Sequence, residues 1–276
     1  MIINSKILYT KHSTEDNFEL SEVNTYMNEL FSEIFLGFAA KDRYTIAESV
    51  LYHLENYGVK VWYDRHDLII GDNRQIKNFE EGILNKKYAI LIFSENTEPC
   101  VCYNEEIDVV YGLYRENKIK IFPILYNVIY DDLPPRYQWV KEIIYREVSD
   151  QSGTLNVVSS IMCRYLLDIL KTLPIKSFKS VLKICPATKE FDFIKHMIEQ
   201  YESIHHHNFN SRLTALYSVY HFIKLYHFPK IELYIIPQKS IEWIFSLTKL
   251  DLKVDFKELR IAEYCILILL NFILSH

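Results

Sequence analysis

Four apolar runs of strand length, Ile34 to Ala40, Val59 to Tyr63, Ala89 to Ser94 and Ile119 to Tyr126, recur through the N-terminal half of the chain. They are apolar throughout instead of alternating, the pattern of strands buried on both faces. Stretches of helical period separate them. After the first run, Ile46, Val50, Leu51 and Leu54 make one stripe, with Thr45 and Glu48 spaced as a capping box and Gly58 as a stop signal. Ile76, Phe79, Ile83 and Leu84 recur likewise before the third run, and Ile107, Val110, Tyr111 and Tyr114 before the fourth. The order β-α-β-α-β-α-β predicts an α/β fold with a parallel sheet between helical layers.

A helix through Leu155, Val158, Met162, Tyr165, Leu166 and Ile169 closes this region, preceded by a short element near Val140 to Tyr145. Leu20, Val23, Met27 and Leu30 suggest a short helix ahead of the first strand. Beyond Leu173 the pattern changes. Pro174, Pro186, Pro229 and Pro237 punctuate helical stripes such as Phe191, Ile194, Ile198 and Tyr201, with Ile231 to Ile236 read as a short strand. The expected organisation is an N-terminal extension at 1–31, an α/β domain at 32–172 and a mostly helical domain at 173–276. The apolar tail Tyr264 to Leu274 is shorter than the ~18 residues a membrane span needs and holds Asn271, so it is expected to be a buried or subunit-contacting helix.

Composition narrows the partners. With 31 basic and 36 acidic side chains the formal charge is −5, so no global cationic field favours nucleic acid or an anionic membrane, and neither is expected as a partner. Five irregularly spaced cysteines and an N-terminus without an apolar core point to a reduced, cytoplasmic protein. No metal site is expected. Cys100 and Cys102 lack the spacing and partners of a zinc set, and His205, His206 and His207 read as a hydrated loop.

In an open parallel sheet, ligands bind outside the carboxyl ends of the strands. The loops there hold Ala39 to Arg43, Asp64 to Arg74 and Glu95 to Tyr103, followed by Glu105 and Glu106 opening a helix. Neither G-x-G-x-x-G nor G-x-x-x-x-G-K-[ST] occurs, which argues against a Rossmann dehydrogenase or a P-loop NTPase.

At these positions the chain resembles the Toll/interleukin-1 receptor (TIR) domain family. Ile34-Phe35-Leu36-Gly37-Phe38 resembles the family's opening strand. Val59-Lys60-Val61-Trp62-Tyr63-Asp64 with Asp67-Leu68-Ile69-Ile70-Gly71-Asp72 resembles its second strand and BB loop, and Ile90-Leu91-Ile92-Phe93-Ser94 its third strand with terminal serine. Asn104-Glu105-Glu106-Ile107 resembles the glutamate-bearing helix start, and Phe122-Pro123-Ile124 the fourth strand. The likeness covers roughly residues 32–171.

The resemblance implies a flavodoxin-like fold and one of two behaviours. Catalytic members cleave NAD+ at the nicotinamide bond, giving nicotinamide and ADP-ribose or a cyclic isomer. Others are non-catalytic scaffolds and protein-interaction modules. NAD+ is then a substrate, and no separate cofactor is expected. The family's essential glutamate falls on Glu106, since neighbours on a helix point about 100° apart and Glu105 becomes the solvated one. By position, Phe38 and Ala39 line the nicotinamide and ribose pocket, Asp67, Leu68 and Gly71 belong to the closing loop, and Ser94 ends the third strand. Arg43, Arg65 and Arg74 are candidates for the pyrophosphate. Cys102 stands where many members have tryptophan, so Tyr103 or another aromatic is expected to supply the missing ring. A fused helical domain implies the prokaryotic type: a homo-oligomer, assembled through both domains, answering a trigger or downstream effector in antiphage immune signalling.

The chemistry is consistent by itself. Nicotinamide leaves as a neutral molecule from a cationic pyridinium, so bond breaking needs no general acid. It does need a negative group beside the ribose as positive charge develops there.

Overall fold

The computed structural model describes residues 30–64, 69–73, 75–226, 233–249 and 255–275. Five parallel strands form one sheet: β1 Ile34–Gly37, β2 Val61–Trp62, β3 Tyr88–Phe93, β4 Lys120–Tyr126 and β5 Arg146–Val148, in the order β2-β1-β3-β4-β5. β5 was not expected as a strand. Two of its three residues are exposed at the sheet edge, so it carries no apolar run. It joins β4 only from Ile124 onward, leaving that side of Pro123 unpaired.

Alternation along the strands explains why the runs are wholly apolar. Ile34, Leu36, Ile90, Ile92 and Ile124 face one core, whereas Phe35, Ala89, Leu91, Phe93, Ile121 and Leu125 face the other. The first layer is covered by α1 (Glu48–Asn56) and, later in the chain, α3 (Leu155–Thr172). The second is covered by a π-helix, Gln75–Leu84, and by α2 (Val101–Arg115).

Local chemistry sets the ends of these elements. α1 stops at Gly58, whose φ of +84° suits a residue without Cβ, and the Gly58 and Val59 amides return to the carbonyls of Glu55 and Leu54 at 2.9 and 3.0 Å. The expected capping box does not form. Thr45 lies inside a π-turn, Arg43–Ala47, that leads into α1, and its hydroxyl donates to the Asp42 carbonyl at 3.2 Å. The backbone at that point is already helical, so Thr45 cannot act as a cap. In Gln75–Leu84 the expected stripe is also out of phase. Ile76 and Leu84 are exposed, while Asn78, Gly82 and Ile83 are buried. A π-helix has more than 3.6 residues per turn, so a stripe read at α-helical spacing drifts off the buried face.

After Thr172 come α4 (Phe178–Ile184), α5 (Lys189–Ser203), α6 (Phe209–Leu225), α7 (Ile235–Lys249) and α8 (Phe256–Ser275). Of the stripe Phe191, Ile194, Ile198 and Tyr201 the last three are buried and Phe191 is half-buried; in α6, Leu213, Leu216 and Tyr220 are buried and Tyr217 is half-buried. Within Ile231 to Ile236, residues 231 and 232 lie outside the described residues, and Ile235 and Ile236 open α7 instead of a strand, with Pro237 in the helix's first turn, where it needs no amide donor. The helix expected through Leu20 to Leu30 lies outside the described residues except at its last position. The histidine run is an exposed loop between α5 and α6. None of the five cysteines is in a disulfide.

α8 packs on α3, α7 and α6, and its apolar residues, including Ile261, Cys265, Ile268 and Leu269, are buried. No described helix is long and apolar enough to cross a membrane. The helical region is continuous with the sheet's first core layer: one apolar cluster runs from Ile34 and Ile90 through Met162 to Leu270. Polar ties reinforce the contact, with the Tyr57 hydroxyl 3.0 Å from Ser159 Oγ and Ser240 donating to the Tyr57 carbonyl at 3.0 Å.

Two polar residues are buried in α8, Glu258 in its first turn and Asn271 near its end. Asn271 Oδ1 accepts from the Ile175 amide at 2.9 Å, and its Nδ2 donates to the Ile175 and Leu267 carbonyls, each at 2.8 Å. Asn271→Leu keeps the volume but strands the Ile175 amide and carbonyl, and is expected to cost about 1–3 kcal/mol, read as a lowered urea midpoint. An unchanged midpoint would mean that these bonds add nothing to stability.

Candidate functional site

The strand order reverses between β1 and β3, and at the carboxyl ends of β1 and β2 lies a cleft of about 150 Å³. Leu36, Phe38 and Ala40 reach it from β1 and its following turn, Trp62 and Asp64 from β2. Asn78 enters from the π-helix; Cys100, Cys102, Tyr103 and Glu106 complete the lining from α2 and its start. A larger cavity of about 750 Å³ sits at the opposite rim, where Glu33 and Lys60 precede β1 and β2. That rim lacks the strand ends that gather functional groups, so the smaller cleft is the better candidate.

Glu106 is half-buried on the cleft and Glu105 is exposed. Oε1 of Glu106 accepts from Asn78 Nδ2 at 2.9 Å. Its charge reaches Tyr103: burial first, then the Glu106 carboxylate, push that phenol well above its ordinary pKa. The Tyr103 hydroxyl donates to the Ile92 carbonyl at 2.9 Å, so this ring is a wall of the cleft and not a proton donor to it.

Two glycines permit this geometry. A Cβ on Gly37 would stand 2.9 Å from Tyr103 Cε2 and from Phe35 Cε1, so β1 and α2 approach this closely only because residue 37 has no side chain. A Cβ on Gly82 would stand 2.9 Å from Trp62 Cε2, and its absence lets the π-helix settle on the indole with Asn78 within reach of Glu106. Trp62, buried and stacked on Phe35 with ring centroids 5.3 Å apart, is an aromatic wall that sequence reasoning did not assign to the site.

On the other side, Phe38 stacks on Tyr63 with centroids 5.5 Å apart, and the Arg43 guanidinium lies 5.5 Å from the Phe38 ring centre. Arg43 makes a bidentate pair with Asp64, at 3.0 and 2.7 Å. Burial lowers the pKa of Arg43, but the hydrogen bonds and charge of Asp64, with Tyr63 beside them, outweigh it and raise the pKa overall. Its guanidinium is thus committed to Asp64 instead of standing ready for a pyrophosphate.

The remaining expected residues divide. Phe38, Cys102 and Tyr103 come together with Glu106 around the cleft. Ala39, opposite in parity to Phe38, is buried in the second core layer beside Phe35 and Trp62 and does not line it. Ser94 lies outside it and donates to the Asp42 carboxylate, which is 1% exposed and also accepts from Asn96 Nδ2 at 2.7 Å. This network ties the β1 turn to the loop leading into α2. Gly71 is exposed with φ of +100°. Asp67, Leu68, Arg65 and Arg74 lie outside the described residues. Among the described residues no cluster of three or more His, Cys, Asp or Glu side chains could hold a metal ion.

Residues 34–155 match the sequence profile of the TIR domain family. Three relatives are similar over part of the chain. A probable 2′ cyclic ADP-D-ribose synthase, TcpO of Methanobrevibacter olleyae, is 30% identical over 118 residues, 42% of this chain and 34% of that protein. A probable 2′ cyclic ADP-D-ribose synthase, TcpB of Brucella melitensis, is 25% identical over 129 residues, 45% of this chain and 51% of its own. The NAD(+) hydrolase TcpC of Escherichia coli O6:H1 is 30% identical over 103 residues, 37% of this chain and 33% of that protein. The chain thus spans about half or less of the length of these relatives.

Gly37→Ala is expected to push Tyr103 and α2 away from β1, lowering stability by about 1–3 kcal/mol. Chemical denaturation would register this. A variant as stable as the parent would show that α2 moves without cost.

Proposed function

We propose, from the premise that residues 34–155 form a TIR domain, that this chain cleaves the bond between nicotinamide and ribose in NAD+, with Glu106 as the catalytic carboxylate. The observation that carries the reading is the position of Glu106: on a cleft at the strand ends, held by Asn78 and walled by Trp62, Phe38 and Tyr103. The names of the similar proteins, NAD(+) hydrolase and cyclic ADP-ribose synthase, point the same way.

The cleft's size suits part of the substrate. At about 150 Å³ it is well below the ~300–1,000 Å³ of pockets that enclose whole drug-sized ligands. It therefore takes the nicotinamide and its ribose, and the adenosine end lies outside it. The bond from ribose C1′ to the pyridine nitrogen breaks and its electron pair leaves with neutral nicotinamide. Positive charge grows on C1′ and the ring oxygen, and Glu106 opposes it across a short, poorly solvated gap. Water, or a hydroxyl within the same ADP-ribosyl group, captures the cation and releases its proton, giving ADP-ribose in the first case and a cyclic product in the second.

Assembly is part of the same proposal. Ile69 is 74% exposed and Ile70 is fully exposed, beside Gly71 in the segment that resembles the BB loop. Such an apolar pair on a surface turn favours contact with another copy of the chain. The helical region is then the part that receives a trigger or governs assembly; a role in antiphage immunity rests on the family resemblance alone. The runner-up, a scaffold without turnover, predicts assembly with no nicotinamide release.

Nicotinamide release from NAD+, followed by chromatography, tests the reading. Glu106→Gln is expected to lower it by at least about a hundredfold, while Glu105→Gln leaves it unchanged. Equal losses in the two variants, or no release by the parent at any concentration, would sink it. Specific activity of the parent is expected to rise with protein concentration, and Ile70→Asp to flatten that rise without lowering thermal stability. Full activity in dilute monomer would overturn the assembly step.

A further inference from the structure

Asn78 is 3% exposed, and one end of its amide is unsatisfied. Its Nδ2 donates to Glu106 at 2.9 Å. An ionised carboxylate only accepts, so the nitrogen has to face Glu106 and Oδ1 has to face elsewhere. That oxygen is buried without a hydrogen-bond partner among the described residues, and Asn78 lines the cleft. Buried amide oxygens are almost always paired, and an orphan beside a cavity marks a position where a ligand's donor belongs.

The neighbouring polar groups are engaged with one another. Asp64 is held by Arg43, and the Tyr103 hydroxyl by the Ile92 carbonyl. Gly82 seats the π-helix on Trp62, and the bond to Glu106 holds the buried Asn78 amide, so it is fixed before any ligand arrives. A carboxylate acceptor and an amide oxygen side by side match a ligand that offers two adjacent hydroxyls, and the ribose next to nicotinamide offers such a pair.

We propose that Asn78 is a positioning and specificity residue: its Nδ2 fixes the Glu106 carboxylate, and its Oδ1 accepts a hydrogen bond from a hydroxyl of the nicotinamide-side ribose. This rests on the NAD+-cleaving reading and adds to it the group that recognises the sugar. The amide's two ends have separable effects. Losing the donor loosens Glu106 and lowers kcat for every substrate, whereas losing the acceptor lowers kcat/KM only for substrates that carry the bonded hydroxyl.

The experiment compares the full chain with Asn78→Leu and Asn78→Asp on four substrates: NAD+, its analogues lacking the 2′ or the 3′ hydroxyl on the nicotinamide-side ribose, and the 3-acetylpyridine analogue, which lacks the carboxamide donor. Asn78→Leu is expected to lower kcat/KM on NAD+ by roughly tenfold to a hundredfold. Its deficit relative to the parent should shrink by about tenfold on one deoxy analogue and stay full on the acetylpyridine analogue. Asn78→Asp keeps the acceptor, so it is expected to lose kcat yet keep the parent's discrimination between NAD+ and that deoxy analogue. It is also isosteric, and carries the test if Asn78→Leu does not fold.

A deficit of the same size on all four substrates would reduce Asn78 to a structural residue and overturn the inference. A deficit that shrinks only on the acetylpyridine analogue would assign Oδ1 to the carboxamide and overturn the ribose assignment. A parent that releases no nicotinamide, by contrast, would bring down the NAD+ reading itself.

Discussion

The sheet is buried on both faces, and that constraint decides where this protein can do chemistry. With Ile34, Leu36, Ile90 and Ile92 under one helical layer and Phe35, Leu91 and Phe93 under the other, neither face has room for a solvated charge. Polar groups are pushed to the strand ends. There Asp42 is satisfied by Ser94 and Asn96, Asp64 by Arg43, and Glu106 by Asn78. Each carboxylate is held by a residue from a different loop or helix, so the rim is a set of fixed groups on a rigid base.

Within that rim, close backbone approach matters as much as charge. Tyr103 fills the space that Gly37 leaves, and this sets the height of α2 above β1 and with it the reach of Glu106. Trp62 fills the space beside Gly82 and sets the π-helix that carries Asn78. The two aromatic rings thus act as spacers between the sheet and the elements that bear the polar groups.

These features differ in how far the amino-acid order reveals them. The central strands were legible because double burial writes an unbroken apolar run, and the helices α1, α2 and α3 because each has an α-helical stripe. β5 was not, since Arg146 and Glu147 sit exposed at the sheet edge. The placement of Glu106 was suggested by family resemblance and by its place after a strand end. Asn78 was invisible because a polar residue between Lys77 and Phe79 reads as surface when helical period is taken as 3.6. It is buried with Gly82 and Ile83, on a face that the apolar stripe through Ile76 and Leu84 did not mark. The Arg43 pairing was equally hidden, because Asp64 is 21 positions away along the chain.

The helical region shares its core with the sheet: α8 lies along α3, and the cluster from Ile34 to Leu270 has no polar seam at residue 173. A polypeptide ending at Thr172 would therefore carry the flank of α3 that α8 normally covers, the side on which the Cys163 thiol meets the Lys257 carbonyl, straight into water. Such a fragment would self-associate through that raw flank, so clumping in a truncated preparation would report a missing lid and not the native mode of assembly.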